Sequence, residues 1–264
     1  MGTVPATRAP LEGTPGHDTR DHPVEDGQDG RPVEANHLLW LLARESGAEY
    51  AALLRVLEPV ALPRDAVLHE PGAPIPYVYF PRTSVWSLVK VMADGRRVEV
   101  GTTGFEGMVG LPVFHDAETM PFQCFVQVAG AAWQLRADTF RGAVAQGTAF
   151  HRIMQRYAQY LFDQAAQSVA CNRLHSVDER CARWLLMTHD RVGRAERFPL
   201  THEFLALMLG VRRAGVTVSM GALQAAGLIR YSRGNIAVID RAGLEGASCE
   251  CYHSERADYR RLLG

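Results

Sequence analysis

Two groups of residues in this chain have types and spacings that could do chemistry. The first lies between Leu200 and Asn235, where Arg212, Arg213, Arg230 and Arg233 face a single acid, Glu203. A guanidinium offers five donors in a fixed fork, suited to phosphate oxygens and to the O6 and N7 acceptors of guanine. The second is Cys249-Glu250-Cys251-Tyr252-His253, whose thiolates and imidazole are soft metal ligands. It supplies at most three ligands, and no second Cys pair lies near it in sequence, so neither a metal nor a cofactor is expected. Cys171 and Cys181 flank a predicted hinge and read as small core residues, with a redox switch as the alternative.

The elements around the arginines give them a use. Thr201 is placed to cap a helix with apolar positions Phe204, Leu205, Leu207 and Met208, and Gly210 stands where a tight turn to a second helix needs a positive φ. That second helix, expected from Arg212 to Ala226, buries Val216, Met220 and Leu223. Arg213, Ala214, Thr217 and Val218 are left on its open N-terminal half, the positions that reach base edges in a major groove. Leu228 to Arg230 and Ile236 to Ile239 then read as two strands joined through Ser232-Arg233-Gly234-Asn235. In this wing Arg230, Arg233 and the turn amides of Gly234 are set to meet phosphates. The bland reading of the same pattern is a helical hairpin whose β-turn serves packing alone.

Upstream, the hydrophobic period changes twice. Residues 1–33 are rich in Pro, Gly, Asp and His without apolar periodicity, and a disordered tail is expected there. Asn36 to Leu57 predicts two short helices broken near Ser46-Gly47. From Glu58 to Phe140 the period is two. Val85 to Gly101 reads as a hairpin, with Val85, Ser87, Val89 and Val91 on one face, Trp86, Leu88, Lys90 and Met92 on the other, and Asp94-Gly95 supplying positive φ at the turn. Further strands are expected near Ala66–His69, Tyr77–Phe80, Gln123–Val128 and Ala131–Leu135, as in a barrel or jelly roll. From Phe150 a long helix without Pro or Gly carries the stripe Phe150, Met154, Tyr157, Leu161, Ala165 and Ser168. It is read as a two-stranded dimer seam, against the alternative that the helix lies on its own roll. Val177 to His189 is a further helix, opened by Ser176 and Glu179 in a capping-box arrangement.

The fold class expected is therefore α+β: an antiparallel β-roll sensor at 34–148, a dimerisation helix at 149–173 and a winged helix-turn-helix at 174–264. The net charge of −1 hides an asymmetry that agrees, because residues 171–264 hold 14 Arg against 10 acids. No apolar run approaches the roughly 20 residues of a membrane span, and the first residues lack the order of a secretory signal. A cytoplasmic protein without a membrane partner is expected. Five scattered cysteines in a chain of 264 residues argue against a disulfide framework.

Residues 36 to 252 resemble the Crp/Fnr family of bacterial regulators, most specifically in NRLHSVDERCARWLLMTHDRVG (172–193) and LTHEFLALMLGVRRAGVTVSMGALQAAGLI (200–229). The resemblance implies a homodimer on an inverted-repeat operator in duplex DNA, with RNA polymerase as a further partner. It puts Arg213 in the place of the guanine-reading arginine, while Ala214 and Val218 stand where the cyclic-AMP receptor has a glutamate and a second arginine. At the sensor it points to Gly107, Met108 and Val109, followed by Phe122, Gln123 and Cys124, as the effector pocket. The carboxylate and arginine that bind a cyclic nucleotide in the family are missing at these places, so ordinary cyclic-nucleotide binding is not expected, and the effector is unknown. The iron–sulfur sensor of the fumarate–nitrate branch is excluded, since no Cys stands in the N-terminal region.

Two rivals belong to other classes. A metal-dependent jelly-roll enzyme would need His and Glu converging inside the roll, and His69, Glu70 and Glu99 are too few and poorly spaced. No catalytic residues are therefore expected. An adaptor whose C-terminal module contacts protein would bind without the steep salt dependence that phosphate contacts impose. The scattered His69, His115, His151, His175, His189 and His202 have no metal-binding spacing and read as surface or core residues.

Overall fold

The computed structural model describes residues 35–264. The tail expected at 1–33 lies outside the described residues. α1 (His37–Glu45) and α2 (Gly47–Leu54) meet at Ser46, where the sequence places the break. The Asn36 side chain accepts from the amides of Leu38 and Leu39, and its Nδ2 donates to the carbonyls of Pro81 and Gly107 at 2.9 and 2.8 Å. One buried side chain thus fixes both the start of α1 and its docking on the strands behind it.

The strands that follow are antiparallel and make two sheets. β1 (Glu58–Leu62), β3 (Tyr77–Pro81) and β7 (Gly130–Arg136) form one, ordered β1-β7-β3. β2 (Val67–His69), β4 (Val85–Val91), β5 (Arg97–Thr103) and β6 (Gln123–Val128) form the other, ordered β2-β6-β4-β5. Leu62, Trp86, Val109, Cys124, Val126 and Ala132 fill the space inside the roll. The clean two-faced alternation expected of the β4–β5 hairpin is interrupted by irregularities between Val85 and Trp86 and between Leu88 and Val89. Val85, Trp86, Ser87 and Val89 are all buried as a result, for β4 is covered on both sides. At the turn Gly95 alone takes a positive φ, 82°; Asp94 instead accepts the Arg96 amide in its carboxylate at 3.0 Å.

α3 (Ala137–Ala143) leads into α4 (Ala149–Leu174), which has two jobs along its length. Phe150, Met154 and Tyr157 are not available to a partner chain, because they are buried in this chain's own sensor core beside Leu38, Leu42, Phe80 and Phe140. Leu161 and Ser168 are half-buried. Of the expected seam Ala165 is exposed, and it lies on a different stripe with Phe162, Ala166 and Val169. Phe162 and Val169 are 70% and 72% exposed. The helical period finds the apolar residues that the roll needs for itself, and the outward stripe is a second set turned round the helix from the first.

α5 (Val177–Arg191) opens on the expected capping box of Ser176 and Glu179. After the winged region come α8 (Arg241–Ala247) and α9 (Cys251–Leu263). α9 begins in the winged domain, where Tyr252 is part of the core and its hydroxyl donates to Asp190 at 2.7 Å. The helix then runs back along α4, and the Leu263 carbonyl meets His37 Nε2 at 2.6 Å.

Candidate nucleic-acid interface

Thr201 caps α6 (His202–Leu209) by accepting the Phe204 amide at 3.1 Å, and Gly210 ends the helix with φ 65°. A residue with Cβ is strained in that left-handed conformation, so glycine is the natural choice for the turn. Arg180 of α5 donates to the Leu209 carbonyl at 2.5 Å and satisfies an otherwise open helix end. α7 (Arg213–Ala225) then leaves at 111° to α6, within the range of a helix-turn-helix. Val216, Met220 and Leu223 are buried as the sequence predicts, and Ser219 bonds Asp178 of α5. The inner side of α7 is thereby fixed in rotation, so that Arg213, Ala214, Thr217 and Val218 face solvent together.

The wing is β9 (Ile229–Ser232) and β10 (Asn235–Val238), joined by Arg233 and Gly234 at φ 50° and 77°. A short strand that the sequence reading missed, β8 (Phe198–Pro199), pairs with the other edge of β10. The wing is tied to α7 by the Tyr231 amide, which donates to Gln224 at 2.8 Å. Arg212, Arg213, Arg230 and Arg233 are exposed and enter no ion pair among the described residues. Four guanidinium groups with neither an internal carboxylate nor a packing role form a positive surface along the helix tip and the wing.

His202, passed over in the sequence as one of several scattered histidines, belongs to this surface. Its ring stacks on Tyr231 of the wing with centroids 4.4 Å apart, and its Nδ1 lies 3.1 Å from the Thr217 hydroxyl of α7. That hydroxyl donates to the Arg213 carbonyl at 3.1 Å, so it accepts from His202 in the Nδ1–H tautomer. Burial, followed by the nearby charge of Arg213, holds the imidazole below its usual pKa and favours this neutral form. No spacing rule finds such a residue, because its partners Thr217 and Tyr231 stand on other elements well along the chain. Gly215 also stands out, since a Cβ there would meet nothing within 4 Å. Packing does not require the glycine.

The residues expected to form an effector pocket lie in different surroundings. Met108 is in the sensor core, and the Tyr157 hydroxyl holds both of its backbone groups, donating to the carbonyl at 2.9 Å and accepting from the amide at 3.0 Å. A side chain at Gly107 would run into the Tyr157 ring. Val109 pairs with Tyr79 through both backbone groups, and Cys124 is buried between the sheets, where desolvation pushes its thiol pKa up. Gln123 reaches the surface and donates to Glu70 at 2.9 Å. The space in front of Gly107 is thus taken by Tyr157 of α4. His69, Glu70 and Glu99 form no metal-ligating group among the described residues.

A second cluster of arginines joins the domains. Arg191 pairs with Glu106 of the sensor at 2.6 Å, and Arg183 with Glu255 of α9 at 2.9 Å, all four side chains under a tenth exposed. Glu255 also accepts from Gln164 of α4 at 2.6 Å, and the Trp184 indole donates to Glu99 of β5 at 3.0 Å. Val89 and Phe125 of the roll pack into the core of the winged domain.

Residues 179–247 match the model of the Crp-like helix-turn-helix domain. A search of curated protein sequences returns no match. Among solved structures, the chain is similar to FixK2 from Bradyrhizobium japonicum, at 17% identity over 74% of this chain and 98% of that one, with a TM-score of 0.64. It is similar to TTHB099, a transcriptional regulator of the CRP family from Thermus thermophilus, at 17% identity over 74% and 99%, with a TM-score of 0.60. It is also similar to the c-di-GMP-responsive global regulator CLP of Xanthomonas campestris, at 15% identity over 73% and 99%, with a TM-score of 0.58. At such identities these likenesses speak for the fold, a roll followed by a long helix and a winged helix, while the match at 179–247 speaks for the DNA-binding module. No single helix among the described residues is long and apolar enough to cross a membrane. Residues 179–247 thus carry a Crp-like helix-turn-helix domain, and the chain has the fold of the Crp/Fnr regulators that it is similar to, as the sequence resemblance implies.

Proposed function

We propose that this regulator works as a cytoplasmic homodimer that reads an inverted-repeat operator, with α7 entering the major groove and the wing resting on the backbone. The observation that carries the reading is the common exposure of Arg213, Ala214, Thr217 and Val218 beside Arg212, Arg230 and Arg233, none of these arginines entering an ion pair among the described residues. Arg213 reads a guanine; Arg212, Arg230, Arg233, the Thr201 cap and the Gly234 turn amide hold phosphates. Two chains associate through the outward stripe of α4, Phe162, Ala165, Ala166 and Val169, whose small residues let the helices approach closely. The dimer presents its recognition helices about one DNA turn apart, so half-sites stand about 10 bp apart centre to centre.

The sensor does not bind a cyclic nucleotide in the family's usual manner. Supporting this, Tyr157 fills the space in front of Gly107, and Glu106 is engaged by Arg191. A small-molecule signal acts by shifting the population of dimers whose helices have the operator spacing, and RNA polymerase is the partner downstream. No catalytic role is assigned.

Selection of bound sequences from random duplex DNA with the purified protein tests binding, symmetry and spacing together. An enriched inverted repeat with the stated spacing is the expected result. Enrichment of a lone half-site, or of nothing at low salt, overturns the reading.

A further inference from the structure

We propose that Cys171, His175, Cys249 and Cys251 form a mononuclear site for a thiophilic divalent metal of the zinc class, which clamps the end of α4 to the start of α9 and the turn before it. In sequence only Cys249 and Cys251 are neighbours. The fold adds Cys171 from the last turn of α4 and His175 from its C-cap, four residues on and so on the same face. His253, the nearest histidine in sequence, takes no part.

One donor atom from each of the four residues lies within 4.8 Å of all the others. The sulfurs of Cys171 and Cys249 are 3.6 Å apart, and Cys251 Sγ is 3.5 Å from His175 Nδ1. Zinc bound at about 2.3 Å to sulfur and 2.0–2.1 Å to nitrogen makes a tetrahedron with edges of about 3.5–3.8 Å. These two pairs already have that edge length. A multi-iron cluster would separate the ligands of its different irons further than these atoms are spread.

The surrounding groups are those that a metal ligand set uses. His175 Nε2 faces Glu250 Oε2 at 3.1 Å, which fixes the proton on Nε2 and leaves the Nδ1 lone pair toward the thiols. Gln167 donates to Cys251 Sγ at 2.9 Å. Three thiolates around a divalent ion carry one net negative charge, and the guanidinium groups of Arg180 and Arg183 stand within electrostatic reach of it. The three cysteines are buried and pack as a cluster of their own, whereas Cys124 and Cys181 sit among ordinary apolar residues. Four protein ligands leave no open position, so the site is structural. What it holds together is the link between the long helix and the DNA-binding domain.

Full-length protein, reduced and incubated with zinc chloride, should retain about one zinc per chain after desalting. Cobalt chloride should give tetrahedral ligand-field bands and a thiolate charge-transfer band in the near ultraviolet. Cys249→Ser and His175→Ala should each abolish retention, and Cys124→Ser should not. Zinc should raise the Tm of the wild type and leave that of His175→Ala where it was. The proposal is overturned if reduced, folded wild-type protein takes up neither zinc nor cobalt beyond the Cys249→Ser variant. A Cys171–Cys249 disulfide in protein purified without oxygen overturns it equally, as it would assign the pair to redox chemistry. Should the variants fail to fold, the cobalt spectrum of the wild type decides alone.

Discussion

The two arginine clusters of this chain use one side chain in opposite ways. At the helix tip and wing, Arg212, Arg213, Arg230 and Arg233 are exposed and enter no ion pair among the described residues; at the domain seam, Arg183 and Arg191 are buried against Glu255 and Glu106. A surface guanidinium keeps its hydration until a phosphate or a base replaces it, whereas a buried one has lost that hydration and depends on its carboxylate. The difference separates binding from architecture. It also explains why a count of basic residues in 171–264 indicated nucleic acid without indicating which arginines meet it. His69 shows a third treatment of a basic group: burial lowers its pKa from 6.5 to about 4, so it is held neutral inside the roll.

The sharpest test of the contrast is Arg191→Leu. It leaves Glu106 buried with the Gly104 amide but without its charged partner, and should cost about 3–5 kcal/mol of stability in a denaturant titration. Adding Glu106→Leu should recover much of that loss, and a single variant as stable as the wild type would place the seam among ordinary surface pairs. His69 comes next. Below pH 6.5 the unfolded chain takes up a proton at this position that the folded chain refuses until about pH 4, so stability is full above that window and falls as pH drops through it. The loss between pH 7 and pH 5 should be about 2 kcal/mol, and His69→Phe should flatten this part of the pH profile.

On the exposed side, Arg213→Ala should weaken operator binding by about 1–3 kcal/mol and relax preference at one base pair per half-site. Uniform weakening on all sequences would make Arg213 a phosphate contact like its neighbours. The mildest change is Arg233→Ala, which should lower affinity equally on every duplex and reduce the salt slope by about 1. Folding stability should be unaffected by either change, the opposite of the result at Arg191.

How much of this was legible in the sequence depended on the distance over which each residue finds its partners. The capping box at Ser176, the Thr201 cap, Gly210, and the buried and open faces of α7 are local, and the structure has them where turn chemistry and periodicity put them. The α4 stripe was misread because period alone cannot say which of two apolar faces the chain's own roll will cover. His202 escaped notice because its role depends on Thr217 and Tyr231, and the cluster around Cys249 because Cys171 stands 78 residues away. The seam was invisible for the same reason: Glu106 and Arg191 are ordinary surface residue types until the two domains meet.

The return of α9 to the sensor has a consequence for how the protein is made. His37 and Leu263 are joined across 226 positions, and Leu263 shares a core with Leu38 and Phe150. On the ribosome the roll emerges first, yet a piece of its hydrophobic interior follows only after the winged domain. Contacts so far apart in the chain close slowly, and until they close the early-made half keeps an apolar gap open to chaperones. Completion of the sensor therefore waits until the winged domain has been made.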